Sequence, residues 1–484
     1  MSEPSRSLRV LFVGDGGVSS GFARCTHAVC NELHRAGHSP HVLAINWYGD
    51  SHPYPYPLYH CMQPFDGGTD GLGTTRLPVL IDRLAPDVVV LLTDPWQVPG
   101  YLACVRAYFV DCLDRVPPIV AWLAVDAENV KAGPLNDPLL THVAVWTRFA
   151  ADTLRAGGYR GADLSVIPLG VDPTVFRPLD RAEARAATCP GLDLPPDAFL
   201  VGYVGRNQYR KRVDLMIAGF AEWLRNGGPS SARLLLYVAP TGDGNGCDIR
   251  SLAAYYGVTH EVLLAEPAIG HGNPESYLAQ VYNSLDAFLV VGPEGWCLPV
   301  LEAMACGVPC VVPDFAALGF EGGWPGHAAV RLHCPTPMLV APYGSATGFY
   351  TVGRVPEPSS LVAPLQNLYA SAEYRDEVRR AGLRRAAELP WQRTGVAFRE
   401  MLEEIVDGLH ESQHAADEVT APQEPQESQG PLATATPYPP CTCGCCYDHH
   451  RSRGMQSCWT CACRSYVPAA SESAPLPPVR EVES

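Results

Sequence analysis

The sequence predicts an α/β protein made of two similarly organised halves, and three observations carry that prediction. Short apolar runs alternate with helix-like stretches from Leu8 to about Asp180, the alternation restarts after Pro195-Pro196, and a turn-rich stretch, 181–197, separates the two series. In the first series, strands are expected at 8–13, 41–45, 87–92, 118–123, 142–146 and 164–168. Strands alternating with helices call for a mostly parallel sheet covered on both faces. One crossover helix is plain: Phe22, Thr26, Val29 and Leu33 recur on one face, and Gly37 stands where a helix stops. In the second series, strands are expected at 199–204, 234–238, 262–265, 287–291 and 309–313, with a helix carrying Val213, Ile217, Phe220 and Leu224. A last helical stretch covers 391–409. Beyond it, 411–440 holds Gln, Glu, Ser, Pro and Ala with almost no large apolar side chains, a composition expected to stay disordered.

Composition narrows the class of function. A chain of 484 residues that is 47% hydrophobic can bury several cores. Its formal net charge of -16 argues against a partner held by phosphate neutralisation along a nucleic acid. No apolar run reaches the length of a transmembrane helix, and the polar start lacks the apolar segment of a secretory signal, so a cytoplasmic protein without a transmembrane segment is expected. Of 18 cysteines, 11 are scattered between Cys25 and Cys334, as reduced buried thiols are, and seven crowd between Cys441 and Cys463.

Three stretches carry chemistry. In Gly292-Pro-Glu-Gly-Trp-Cys-Leu-Pro-Val-Leu-Glu-Ala-Met-Ala-Cys-Gly, a buried strand gives way to a loop, and Pro299 starts a helix that Gly307 ends. Loop and helix N-terminus then present N–H groups at the carboxyl edge of a parallel sheet, where open α/β folds bind ligands. Glu294 in the loop and Glu302 in the helix are acceptors suited to hydroxyls of a sugar or ribose. The second stretch, Gly205-Arg-Asn-Gln-Tyr-Arg-Lys-Arg, packs four cations into seven residues of an acidic chain, a pattern suited to clamping a diphosphate. The third, Gly14-Asp-Gly-Gly-Val-Ser-Ser-Gly, lets the backbone approach a ligand closely. It looks like a dinucleotide fingerprint, but the strand at 41–45 ends in Asn46 with no acid for the ribose, which speaks against an NAD-dependent oxidoreductase. Read alone, each acid or basic run is equally a solvated surface charge.

Together, in this order, these stretches and Pro168-Leu-Gly-Val-Asp-Pro-Thr-Val-Phe-Arg-Pro resemble the retaining glycosyltransferases of family 4, across residues 8 to about 409. The two glutamates eight residues apart, followed by Ala-Met-Ala-Cys-Gly, are the most specific part of the likeness. The resemblance implies the GT-B fold, two Rossmann-like domains facing across a cleft: an acceptor-side domain at 1–185, a nucleotide-sugar domain at 195–390, and a terminal helix, 391–410, packing back on the first. It also implies transfer of a sugar from a nucleotide-diphosphate sugar to a glycan, lipid, protein or small-molecule acceptor, with retention and without a catalytic metal. Carried over by position, Arg206 and Lys211 bind the diphosphate, Glu294 the sugar hydroxyls, Glu302 the ribose, and Trp296, Cys297, Leu298 and Val300 the sugar and phosphate. Gly16 and Gly17 close over the diphosphate from the opposite domain.

Three departures stand out. The usual Glu-Gly-Phe-Gly is here Glu294-Gly-Trp296-Cys297, a common serine is Val291, and the acceptor-side histidine is replaced by Ala124-Val-Asp126-Ala-Glu128. Asp126 is thus the candidate for an acceptor or donor-sugar contact, with a strand-end cap as the alternative. From another class, a non-catalytic nucleotide-sugar-binding or scaffold protein on the same fold is the rival function.

In the tail, Cys443-x-x-Cys446 and Cys458-x-x-Cys461 have the spacing of a four-cysteine structural zinc site, expected as a zinc knuckle within 441–465 between disordered segments at 411–440 and 466–484. Cys441, Cys445, Cys463, His449 and His450 leave the ligand choice open, with a redox-sensitive or lipid-modified cluster as the alternative.

Overall fold

The computed structural model describes residues 6–17, 20–61, 70–161, 164–189, 194–238, 246–265, 273–319, 323–340 and 351–420. The linker beyond 420 and the expected zinc ligands Cys443, Cys446, Cys458 and Cys461 lie outside them. Both α/β halves belong to one compact unit, Met1–Ala415. Of the other unit, Ala416–Ser484, only the end of a helix is described.

Seven parallel strands build the first sheet: β1 (Arg9–Asp15), β2 (Ser39–Ile45), β3 (Leu58–His60), β4 (Val88–Thr93), β5 (Ile119–Leu123), β6 (Leu140–Val145) and β7 (Leu164–Val166), in the order 3-2-1-4-5-6-7. Six more form the second: β8 (Leu200–Val204), β9 (Arg233–Tyr237), β10 (Val262–Ala265), β11 (Ala287–Leu289), β12 (Cys310–Pro313) and β13 (Val330–Leu332), in the order 10-9-8-11-12-13. Unbroken apolar runs such as Val-Val-Val-Leu-Leu in β4 are buried along their whole length, because helices cover both faces of the sheet. In each sheet the winding reverses beside the first strand, between β1 and β4 and between β8 and β11. Such reversals open a crevice at the carboxyl ends of the strands. Asp15 closes β1 and Asp94 follows β4. Arg206 comes just after β8, and Glu294 lies beyond β11.

Several elements differ from expectation. The stretch 181–197 is not simply a linker: Arg181–Thr188 is a helix whose N-cap Asp180 accepts from the Glu183 N–H at 2.9 Å. Arg181 and Arg185 bind Asp286 at 2.5 and 2.7 Å, so this helix belongs with the second half, and a boundary at 185 falls inside it. The alanines and the long-range ion pairs favour helix over the local turn signals. The terminal helix runs Trp391–Thr420, past the expected end at 410, through Glu, Gln and Ala residues that favour helix; Pro422 follows. An antiparallel hairpin, β14 (Thr336–Val340) and β15 (Thr351–Val355), was not legible in the sequence. Val352 in it exchanges backbone hydrogen bonds with Glu128 of the first half, both 2.9 Å.

The terminal helix ties the chain end to the first half. Phe398, fully buried, packs its ring 4.7 Å from Trp122 of β5 and 6.3 Å from Phe12 of β1. Thr394 donates to the Pro168 carbonyl at 2.7 Å, and His38 Nε2 lies 3.0 Å from Glu403. Truncating a buried aromatic loses transfer free energy and leaves a cavity. Phe398→Ala is therefore expected to destabilise the protein by about 3–5 kcal/mol in urea titration. A loss under about 1 kcal/mol would mean that the helix contributes little to the first half.

Candidate active site

The two switch points face each other across a cleft of about 860 Å³. From the first half it is lined by Asp15, Phe22, Asp94, Trp96, Asp126 and Trp146, and from the second by Arg206, Arg210, Lys211 and the loop 294–299, with Leu339 and Val340 of the hairpin at one side. Of the residues singled out in the sequence, Arg206, Lys211, Asp126, Glu294, Trp296, Cys297 and Leu298 come together here.

The charged residues form a chain across the cleft. Arg210 binds Asp126 at 3.2 Å on one side, and on the other reaches Glu294 at 3.3 Å and the Pro293 carbonyl at 2.9 Å. Lys211 donates to the second oxygen of Glu294. Burial alone would push the Glu294 carboxyl up, but Lys211 and Arg210 outweigh it and hold the group below its ordinary range. Burial acts against the Arg210 charge, and Asp126, Glu294 and Asp94 more than restore it, so the guanidinium stays charged. Arg210 lay within the basic run, yet spacing alone could not separate it from Arg206 and Lys211. Arg206 itself is exposed at the cleft wall, and its charge is felt by Asp15.

The loop after β11 is shaped by close backbone packing. A Cβ on Gly292 would come 2.3 Å from the Arg210 carbonyl, and one on Gly295 3.3 Å from the Val125 carbonyl of the opposite half. Glycine at 292 lets the loop pack on the basic stretch of its own half, and glycine at 295 lets it meet the opposite half. Cys297, standing at the usual glycine position, has φ 69° and ψ 74°, a left-handed conformation that costs a non-glycine residue on the order of 1 kcal/mol. Burial and the Glu294 charge keep its thiol protonated. Trp296 stacks on Trp324 at 4.9 Å, and the Trp324 N–H donates to the Trp296 carbonyl at 2.6 Å, which fixes the bulky loop. The helix Leu298–Ala305 follows, its N-terminus pointing into the cleft region.

Four expected contacts fall elsewhere. Glu302 is 2% exposed and does not line the cleft: one oxygen is bound by Arg24 of the first half, the other accepts from Tyr282 at 2.7 Å. Arg24 also binds Glu275 at 3.0 Å and lies over the Phe176 ring. Arg24 was missed because a lone arginine in an apolar helix pattern gives no local signal. Val300 is buried in the core. Gly16 and Gly17 do not line the cleft either. An added Cβ would meet Ala44 Cβ at 2.5 Å or the Asn46 carbonyl at 2.7 Å, so these glycines let the β1 loop pack on the end of β2. His27 Nε2, 3.1 Å from the Gly16 carbonyl, holds the loop from beneath.

Asp94 was also missed, although it stands at a strand end, as Asp126 does. Burial pushes its carboxyl up to about 7, the Asp126 charge adds to the rise, and Arg210 opposes it. Unfolded, the group ionises near 3.8, so between that pH and about 7 the folded protein holds the extra proton. Its contribution to stability is whole below that window and falls as pH rises through it. Asp94→Asn is expected to remove this slope, gaining on the order of 2 kcal/mol relative to wild type between pH 4 and pH 8 in urea titrations. Parallel pH profiles for the two proteins would contradict the assignment.

Comparison with known proteins agrees with this geometry. Residues 198–326 match the family described as glycosyl transferases group 1. The chain is 36% identical over 243 residues to the D-inositol 3-phosphate glycosyltransferase of Stackebrandtia nassauensis, covering 47% of this chain and about half, 50%, of that relative. It is 32% identical over 381 residues to the protein of the same name from Nocardia farcinica, covering 72% of this chain and 74% of the relative. Anabaena HepE, solved in complex with UDP-glucose, shares the fold with a TM-score of 0.61 at 13% identity, over 82% of this chain and 100% of that one. With two facing parallel sheets, charged loops at both switch points and a relative matched over most of its length, the chain belongs to the group 1 glycosyl transferases of the GT-B type.

Proposed function

We propose that this chain transfers a sugar from a nucleotide-diphosphate sugar to a hydroxyl acceptor, with retention of anomeric configuration. The observation that carries this reading is the convergence of Asp126, Arg210, Glu294 and Lys211 on one cleft between two switch points. The donor diphosphate would lie against Arg206 and Lys211, and Glu294, held ionised by its two cations, would accept hydrogen bonds from sugar hydroxyls. As the bond from the anomeric carbon to the phosphate oxygen breaks, negative charge grows on the leaving phosphate, where fixed cations lower the barrier most. The acceptor oxygen bonds to the anomeric carbon from the same face, and its proton passes to the departing phosphate oxygen. Because Arg206 and Lys211 supply the charge neutralisation, the reading assigns no metal to this step.

Two of the relatives are named for D-inositol 3-phosphate, and HepE was solved with UDP-glucose, which supports transfer from a nucleotide sugar to a hydroxyl acceptor. Nucleotide release from UDP-, GDP- and ADP-sugars tests the reading. Lys211→Ala and Glu294→Ala are each expected to lower kcat by about 10²–10³-fold with the fold intact by circular dichroism. Undiminished turnover in both variants, or binding of donor without any turnover, would favour a non-catalytic nucleotide-sugar-binding protein.

A further inference from the structure

We propose that the acceptor is an uncharged polyol ring, a sugar or cyclitol without a phosphate ester, held by the carboxyl and indole groups on the first-half wall of the cleft. The inference rests on the glycosyl-transfer reading and adds the class of acceptor to it. The two walls of the cleft have opposite character. Arg206, Arg210 and Lys211 all come from the second half, and the first half contributes the carboxyl groups of Asp15, Asp94 and Asp126 together with the rings of Phe22, Trp96 and Trp146. Carboxyl groups beside aromatic faces suit a polyol: hydroxyls donate to the carboxyl oxygens, and the C–H face of the ring lies on an indole.

The same wall opposes an anion. Asp15 accepts from Ser20 at 2.5 Å and from Asn46 at 3.0 Å, and so keeps its carboxyl turned to neutral partners. Of the second-half cations, Arg210 is engaged by Asp126 and Glu294, and Lys211, like Arg206, is assigned to the donor diphosphate. Arg206 stands at the donor end, on the loop assigned to the diphosphate. A phosphate monoester, carrying nearly two negative charges at neutral pH, would meet no Lys or Arg side chain among the described first-half residues that line the cleft. The stretches of 6–420 outside the described residues contain no Lys or Arg in their sequence.

The test uses the full chain with whichever of UDP-, GDP- or ADP-glucose it cleaves. Nucleotide release is followed with myo-inositol and D-glucose, and with inositol 3-phosphate and glucose 6-phosphate as their esters. The expected result is a kcat/KM at least about tenfold higher for a free polyol than for its ester, with Asp94→Asn and Trp96→Ala each raising KM for the polyol more than they lower kcat. An ester used as well as its polyol, or better, overturns the inference, as does donor cleavage that neither form accelerates. Failure to bind UDP or to cleave any of the three donors is the separate failure of the glycosyl-transfer reading, and the inference falls with it.

Discussion

A single half-buried guanidinium joins the two halves of this protein at its working centre. Arg210 reaches Asp126 in the first half and Glu294 in the second, and Lys211 completes the neutralisation of Glu294. Removing one partner of a half-buried network of this kind leaves a charge without its counter-ion, so each member constrains the others. The network keeps Glu294 ionised and leaves Asp94 close enough to Asp126 for its own ionisation to be resisted. On the far side of the loop 294–299, Arg24 and Glu302 make a second pair between the halves. The paired backbone of Glu128 and Val352 makes a third link. The cleft is what remains between these links.

The Arg24 pair changes how the signature glutamates are understood. Glu294 and Glu302 are eight residues apart and resemble one recognition unit, but only Glu294 lines the cleft here. Glu302 has both oxygens occupied by Arg24 and Tyr282. A ribose hydroxyl that is to reach Glu302 must therefore displace a cation, and donor binding would be coupled to a contact between the halves. The left-handed Cys297 and the stacked pair Trp296 and Trp324 stiffen the loop that joins the two glutamates.

Much of the fold was legible because its signals are local. Buried parallel strands such as 87–92 and 118–123 are continuous apolar runs, and the switch-point loops announce themselves by glycine and charge at strand ends. What escaped depends on distant partners. The helix Arg181–Thr188 is held by Asp286, a hundred residues on, and turn-forming residues nearby masked it. The hairpin of β14 and β15 packs against Ala127 of the other half, a contact that no local pattern encodes. Within the site, the basic run identified the clamp but not which cation bridges the halves, and Gly16 and Gly17 proved to serve packing on Ala44 and Asn46 rather than to line the cleft. Asp94 shares the strand-end position that singled out Asp126 and could have been found by the same rule.

The most direct measurement is a crystal structure of the protein with a bound nucleoside diphosphate. The account predicts phosphate oxygens within hydrogen-bonding distance of Arg206 and Lys211, in the space that Asp126 and Glu294 border. A nucleotide bound outside that space, or phosphates that touch neither cation, would contradict it.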